Sequence, residues 1–247
     1  VETMKATLDQ ALSIFPFEQE WYQSKGLSTK YIGHPFVEPI KLNESTEEYF
    51  IRHGLNSDYP ILLLLPGSRR QEIKLHWPVF LNTTDLLQNK IENLQVVVVP
   101  APGINLIDIP ESFKIEPNAR KAITNATAAI VSSGTATLEC AVEDTPMVVC
   151  YKFNFLSWIL IKFITNIRHA SIVNLITNDS IVEEYLQNKM TPTNLATAIQ
   201  PLLDTSNTMR KIMLDKFDTV RRTLGMPGVY DRAAEAIVSR KNEHLKF

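Results

Sequence analysis

The stretch AAIVSSGTATLECAVEDTPMVVC, residues 128–150, decides the fold class of this chain. It opens with four apolar residues, as a buried parallel strand does, and a Ser-Ser-Gly-Thr turn at 132–135 interrupts them. A helix-compatible run follows at once over residues 136–142, and residues 147–150 are typical of the next strand. A strand, a small-residue turn, a helix and a second strand together indicate an α/β fold.

The turn at 132–135 is suited to an anion. Its backbone N–H groups point outward with the positive end of the helix dipole behind them, which favours a phosphate or diphosphate. Glu139 falls one helical turn beyond Thr135, where its carboxylate can accept hydrogen bonds from a ribose diol. For this unit alone, a capped helix that binds nothing is an equal alternative, because such units are frequent in α/β proteins.

A second unit of the same kind follows the apolar strand at 61–65, which stops at the turn PGSRR, residues 66–70. Gly67 allows close backbone approach, Ser68 can cap a helix, and Arg69 supplies a planar donor fork for an oxyanion. Because open α/β sheets bind their ligands at the carboxyl ends of strands, we predict that Arg69 contacts the ligand.

Strands and helices alternate through residues 59–150. Residues 94–99 form another predicted strand, residue 115 ends a short one, and residues 118–127 form a helix. This order predicts a doubly wound parallel sheet with right-handed crossovers. Neither turn matches GxGxxG or GxxxxGK[ST], so a dinucleotide oxidoreductase or a P-loop kinase is not supported.

The two ends of the chain have different patterns. The pattern of residues 1–32 predicts one βαβ-like unit. Such a unit cannot bury both faces of its sheet, so we expect it to pair with strands from upstream. Residues 39–48 are polar, as in a linker. The part after the central sheet is predicted to be helical, over residues 180–188, 193–203, 206–224 and 230–240.

Composition restricts the class of protein. With 25 Lys and Arg against 27 Asp and Glu, the net charge of −2 argues against a dedicated nucleic-acid binder. The two cysteines, Cys140 and Cys150, provide neither a disulfide framework nor the spacing of a zinc site, which fits a reducing cytoplasm. The polar opening at residues 1–10 gives no support for export.

Four segments together resemble the lipid A disaccharide synthase family. They are LLPGSRRQEI (64–73), SSGTATLECAVEDTPMVVCYK (132–152), YIGHPFVE (31–38) and ASIVNLI (170–176). The match covers nearly the whole chain in family order, and the combination is specific although each segment recurs loosely elsewhere. The family has the two-domain glycosyltransferase architecture called GT-B, with a nucleotide-sugar site in its cleft.

The resemblance implies an inverting transfer that needs no metal and no cofactor. A UDP-2,3-diacylglucosamine donor gives its acylated sugar to 2,3-diacylglucosamine 1-phosphate, and UDP leaves. The implied donor site has diphosphate contacts, a ribose contact and a sugar contact, and comprises Gly67, Ser68, Arg69, Ser133, Gly134, Thr135, Glu139 and Asn174. In this resemblance Glu139 is the ribose contact and Asn174 a donor-sugar or active-site contact. The equal alternative for Asn174 is a residue that turns the chain between strand and helix.

The resemblance also implies that the N-terminal domain is largely missing from this sequence. Residues 1–40 correspond to a remnant of that acceptor-binding domain and a linker, residues 41–225 to the UDP-sugar-binding Rossmann-like domain, and residues 226–247 to a C-terminal helix. The catalytic base is unknown, and catalysis by this chain alone is doubtful. The candidates by residue type only, for which surface or packing roles are expected, are His34, His53, His76 and His169.

Residues 153–164 are strongly apolar but too short to span a bilayer. Either a core or subunit-contact helix or an interfacial helix is expected here, bordering an acyl-chain groove. The expected location is therefore cytoplasmic and peripheral, at the inner membrane of a Gram-negative-type bacterium. The expected partners are UDP-diacylglucosamine, an acylated sugar phosphate and the membrane surface, without nucleic acid; a homodimer is left open.

Two other classes of function compete with this one. A different UDP-sugar enzyme of GT-B architecture, such as a UDP-N-acetylglucosamine 2-epimerase or the peptidoglycan glycosyltransferase, shares the ribose-binding Glu but does not need the apolar stretch. A non-catalytic nucleotide-binding module would keep the fold and lose the chemistry. Acyl-chain dependence of binding separates the first two classes, and turnover separates both from the third.

Overall fold

The computed structural model of the chain describes residues 1–39, 42–152 and 169–244, with side chains up to residue 240. The described strands are β1 (Ala11–Ser13), β2 (Thr29–Tyr31), β3 (Ile61–Leu65), β4 (Gln95–Val98), β5 (Lys114–Ile115), β6 (Ala128–Ser132), β7 (Met147–Tyr151) and β8 (Glu183–Leu186). The described α-helices are α1 (Glu2–Thr7), α2 (Pro16–Ser24), α3 (Thr46–His53), α4 (Arg70–Gln88), α5 (Ala119–Thr124), α6 (Ala136–Val142), α7 (Ile172–Thr177), α8 (Pro192–Leu203), α9 (Thr208–Leu224) and α10 (Val229–His244).

The chain divides into two compact units, one made of residues 1–41 and 218–247 and the other of residues 42–217. In the smaller unit, β1 and β2 form a parallel pair in which Ala11 is in register with Thr29. Glu38 caps the start of α10, since its Oε1 atom accepts the amide of Gly228 at 2.7 Å. The assignment of residues 1–40 to a remnant of an acceptor domain stays a prediction.

The larger unit is built on a six-stranded parallel sheet with the order β5-β4-β3-β6-β7-β8. Every residue of β3 and β6 is buried, because helices cover both faces of such a sheet and leave it no polar side. Helix α4 packs against α8, which in turn packs on β6 and β7. The doubly wound parallel α/β sheet predicted from the sequence is confirmed.

The strand order reverses between β3 and β6. These strands are direct neighbours, with Leu65 in register with Val131, but the chain leaves β3 toward β4 and leaves β6 toward β7. Such a topological switch point opens a crevice beyond the carboxyl ends of the two strands, where open α/β sheets bind ligands. Both turns singled out in the sequence lie at this point.

Two local predictions are wrong. Residues 180–188 are not a helix, because β8 pairs in parallel with β7 and a 3-10 turn follows at Gln187–Lys189; pairing with a neighbouring strand outweighs the helical spacing of the apolar residues. The polar segment 39–48 also contains more than a linker. Helix α3 begins within it, after a capping box in which Ser45 and Glu48 bond each other's backbone amides.

Candidate functional site

A cavity of about 450 Å³ opens at the carboxyl ends of β3 and β6. Both turns line it, together with the loops after β4 and β5. The lining includes Gly67, Ser68, Arg69, Glu72, Pro100, Pro102, Pro117, Ser132, Ser133, Gly134, Thr135 and Ile172. The structure therefore brings six of the eight predicted site residues together around one cavity.

The first turn is shaped by a glycine that no larger residue can replace without strain. Gly67 has a φ of +114°, and a Cβ atom there would lie 2.9 Å from Oε2 of Glu72 and 3.2 Å from the hydroxyl of Ser132. The next residue, Ser68, donates its amide to Glu72 at 3.4 Å. The backbone of this turn is thus pressed against polar side chains on the cavity wall.

Arg69 is held by a buried carboxylate. Its Nη1 atom donates to Oε1 of Glu72 at 2.7 Å, while 77% of its side chain is exposed. The hydroxyl of Tyr151 donates to the same oxygen at 2.5 Å. Burial raises the pKa of Glu72, but the hydrogen bonds from Tyr151 and Arg69 outweigh burial and keep the pKa below its usual value. The carboxylate is therefore ionised near neutral pH and pairs with Arg69.

Some hydrogen-bonding groups of the second turn, residues 132–135, are already bonded within the fold. The Ser133 amide donates to Cys150 in the sheet at 2.9 Å, and its hydroxyl donates to the carbonyl of Ala170 at 2.7 Å. Among the described residues, the amides of Gly134 and Thr135 have no acceptor. These two amides are the donors that the turn offers to an anion in the cavity.

Glu139 lies one turn along α6 from Thr135, to whose carbonyl its amide donates at 3.3 Å. Its side chain is half-buried. Burial raises the pKa of this carboxyl group, the positive charge of Arg120 opposes the shift, and the negative charge of Glu143 adds to it. Such a desolvated carboxylate is a strong hydrogen-bond acceptor for sugar hydroxyls.

Asn174 is 1% exposed, and both polar atoms of its side-chain amide form hydrogen bonds within the fold. The Nδ2 atom donates to the carbonyl of Val182 and to Glu184, each at 2.8 Å. The Oδ1 atom accepts the amides of Ile181 and Val182 at 2.8 and 3.0 Å. Asn174 lies within α7, so it does not turn the chain there, but its bonds fix the entry into β8. A sugar contact by Asn174 stays a prediction and would require one of these bonds to open.

Glu184 connects Asn174 to the cavity. Its carboxylate accepts the amides of Ala170 and Ser171 at 2.8 and 2.9 Å. Because the Ala170 carbonyl accepts the hydroxyl of Ser133, a continuous set of hydrogen bonds runs from the sheet edge to the second turn. This set fixes Ile172 in the cavity wall.

Sequence reasoning named His76 by residue type only, with a surface or packing role expected, and missed its place among the polar residues beneath the cavity. This side chain is fully buried. The amide of Lys152 donates to its Nε2 atom at 3.0 Å, so the proton lies on Nδ1, which is 3.1 Å from the carbonyl of Pro66. Burial lowers the pKa of His76 and keeps the ring neutral. His76 follows Glu72 by four residues, and this spacing is the one signal in the sequence that places the two side chains on one face of α4.

Two of the other candidate histidines, His53 and His34, form hydrogen bonds within the fold. His53 is buried and lies 3.0 Å from the carboxylate of Glu116 through Nε2. His34 accepts the amide of Phe36 at 3.1 Å, and burial lowers its pKa. The expectation for residues 153–164 falls outside the described residues. Within the ranges that the structure describes, no helix has the length and apolar character needed to cross a membrane.

The strand order and the paired turns define a GT-B fold, as comparison with solved structures shows. A putative UDP-N-acetylglucosamine 2-epimerase from Listeria monocytogenes aligns with a TM-score of 0.65 and 14% identity, over 98% of this chain and 62% of that chain. The calicheamicin glycosyltransferase CalG4 aligns with a TM-score of 0.54 and 14% identity, over 91% of this chain and 60% of that chain. At these identities the likeness establishes the fold alone.

The family model described as lipid-A-disaccharide synthetase matches residues 1–235, and the chain belongs to this family. A lipid-A-disaccharide synthase from Myxococcus xanthus (strain DK1622) is 32% identical over 246 residues, which cover 96% of this chain. One from Solibacter usitatus (strain Ellin6076) is 34% identical over 244 residues, again 96% of this chain. The chain spans 64% of the length of each of these two relatives.

Proposed function

We propose that this chain provides the UDP-sugar-binding part of a lipid A glycosyltransferase. The donor would be UDP-2,3-diacylglucosamine, the acceptor 2,3-diacylglucosamine 1-phosphate, and the products lipid A disaccharide 1-phosphate and UDP. The observation that carries the proposal is the meeting of the two predicted anion-binding turns at the β3–β6 switch point, around one cavity. Membership of the lipid-A-disaccharide synthetase family supports the choice of acylated sugars as the substrates.

The arrangement suits stabilisation of a departing diphosphate. As the bond from the sugar to UDP breaks, negative charge grows on the diphosphate, and donors already in place stabilise that charge without reorganising. We assign this role to Arg69 and to the amides of Gly134 and Thr135. In other enzymes, loss of one such donor costs roughly 10²- to 10³-fold in rate. Glu139 would hold the ribose.

The acylated substrates suggest that the protein acts at a membrane surface. We propose that the protein acts peripherally, on the cytoplasmic face of the inner membrane, where both substrates would anchor by their acyl chains. A second copy of the chain is a further partner that we leave open. Each of these statements rests on the identity of the substrates.

Calorimetric titration of the purified chain with UDP tests the donor site. We expect saturable binding by the wild type, a loss of about tenfold or more in Arg69→Ala and in Glu139→Ala, and no change in the control Arg70→Ala. Absence of binding at millimolar UDP would refute the assigned site. Unchanged affinity in both site variants would place UDP elsewhere.

Two further measurements separate the competing functions. Tighter binding of UDP-2,3-diacylglucosamine than of UDP-N-acetylglucosamine is expected for a lipid A enzyme, whereas equal affinity would favour another UDP-sugar enzyme. Release of UDP upon addition of 2,3-diacylglucosamine 1-phosphate would demonstrate turnover. Donor binding without turnover would fit either a non-catalytic nucleotide-binding module or the donor-binding part of a longer enzyme.

A further inference from the structure

Glu72 is a buried carboxylate in the wall of the cavity to which the sequence assigned no role. It accepts bonds from three directions, namely the amide of Ser68, the guanidinium of Arg69 and the hydroxyl of Tyr151. Its Oε2 atom also lies against Gly67, where a Cβ would be only 2.9 Å away. One side chain therefore bonds Ser68 and Arg69 and leaves no room for a side chain at Gly67.

The exposed Arg69 needs such support. A free arginine side chain has many rotamers, and ordering it upon ligand binding costs free energy. In the structure Glu72 already fixes one edge of the guanidinium by a 2.7 Å bond, while most of the side chain remains open to solvent. A guanidinium group held in this way binds an anion without first having to be ordered.

Glu72 is itself fixed. Tyr151, at the end of β7, donates its hydroxyl to the Oε1 atom that binds Arg69. Burial raises the pKa of the Tyr151 hydroxyl to about 12, and the charge of Glu72 acts in the same direction, so the hydroxyl keeps its proton and remains a donor. Tyr151 therefore supports Glu72 and, through a hydrogen bond of its own, Arg69, while Glu72 in turn supports Arg69.

We infer that Glu72 is a positioning residue for diphosphate recognition, acting through Arg69, with Tyr151 as its support. The inference rests on the proposed function, since it takes the diphosphate of a nucleotide sugar as the ligand. It adds a residue that does not touch the ligand but determines how Arg69 meets it.

A double-mutant cycle measures this role, with UDP and inorganic pyrophosphate as the two probes. Glu72→Gln should weaken both probes about five- to tenfold, the scale of ordering one long side chain. In an Arg69→Ala background the same change should have no further effect, because the residue through which Glu72 acts is gone. Tyr151→Phe should weaken binding in the same direction and also lose its effect without Arg69.

The control is Asp85→Asn, the same change of carboxylate to amide at an exposed position of the same helix, α4. It should leave both affinities unchanged. A purely structural Glu72 would lower the free energy of unfolding but would show equal losses of affinity with and without Arg69. That additive result would overturn the inference, and so would tighter binding by Glu72→Gln, which would make Glu72 a competitor of the ligand.

The two proposals fail in different ways. If the wild type binds pyrophosphate but not UDP, the proposed nucleotide function is refuted. The double-mutant cycle with pyrophosphate then still measures the positioning role of Glu72. If the wild type binds UDP and Glu72→Gln binds it equally well, only the positioning role falls. Binding of neither probe by the wild type overturns both.

Discussion

The Nδ1 atom of His76 lies 3.2 Å from the hydroxyl of Ser132, so that helix α4 is bonded to the end of β6 directly beneath the cavity. The same ring also bonds the carbonyl of Pro66 and the amide of Lys152. One neutral imidazole thus joins the ends of three neighbouring strands, β3, β6 and β7.

Replacement of His76 by Phe should destabilise the protein by about 2–4 kcal/mol, because it leaves the buried Pro66 carbonyl and Lys152 amide unpaired. Urea unfolding followed by circular dichroism measures the loss. His76→Gln keeps an acceptor and a donor on the side chain and should recover part of it. Equal losses in the two variants would mean that ring packing, rather than hydrogen bonding, is the contribution of His76.

The buried His76 also predicts a dependence of stability on pH. Burial lowers the pKa of this imidazole in the folded protein, so its contribution to stability is present above the unfolded pKa of about 6.5 and is lost as the pH falls toward the folded pKa. Unfolding free energies measured between pH 7 and pH 5 should therefore fall less steeply in His76→Gln than in the wild type. Parallel slopes would contradict a neutral, buried His76.

Gly67→Ala should lower stability by about 1–3 kcal/mol and weaken UDP binding, because the new methyl group combines a strained φ with a clash against Glu72. Gly54→Ala is the matched control, since Gly54 also has a positive φ of +60° but no atom within 4 Å of the new Cβ. The control should show only the backbone cost, about 1 kcal/mol, with UDP affinity unchanged. Equal effects at the two positions would remove the clash from the explanation.

Glu139→Gln should move stability and binding in opposite directions. Because burial raises the pKa of Glu139, ionisation of this group disfavours the folded state. Its contribution to stability is complete below the unfolded pKa of about 4.3 and is lost as the pH rises through the folded pKa. The variant should therefore be more stable than the wild type at pH 7, with a difference that shrinks toward pH 4.

The same Glu139→Gln variant should bind UDP about 10- to 100-fold more weakly, since it loses a charged acceptor for the ribose. Denaturant unfolding and calorimetry on one preparation give both quantities. A variant that is less stable and binds UDP normally would show that Glu139 serves the fold rather than the ligand.

Asn174→Asp should cost about 3–5 kcal/mol of stability, because it places a buried carboxylate where Nδ2 now donates to Val182 and Glu184. Asn82→Asp, on the exposed side of α4, makes the same chemical change and should cost little. Shifts in the urea midpoint compare the two. A small loss of stability in Asn174→Asp would mean that Asn174 stabilises the start of β8 less than its four hydrogen bonds imply.

Much of the fold followed from contiguous patterns. The apolar runs at β3 and β6, with Gly67 and Gly134 in the turns beyond them, predicted a parallel sheet and a ligand-binding edge because the relevant residues are neighbours in sequence. The failures occurred where partners are distant. The segment around Glu183 reads as a helix by spacing alone, and only its pairing with Val148 in β7 makes it a strand.

The candidate site divides in the same way. Arg69 and Glu139 were predicted because each stands beside a turn with a recognisable chemistry. Tyr151 was not named and His76 was named by residue type only, because their roles depend on Glu72 and Ser132, which the fold brings to them from elsewhere in the chain. A single sequence contains no signal for such pairs.

The hydrogen bonds from Ser133 through Ala170 to Glu184 have a consequence for biosynthesis. Ribosomes extend chains from the N-terminus, so the turn at Ser133 emerges well before Glu184. Until β8 has been made and has joined the sheet, the loop that accepts the Ser133 hydroxyl lacks its anchor. A nascent chain can therefore close β3 against β6 early, while the cavity at their carboxyl ends reaches its final form only after β8 has been translated.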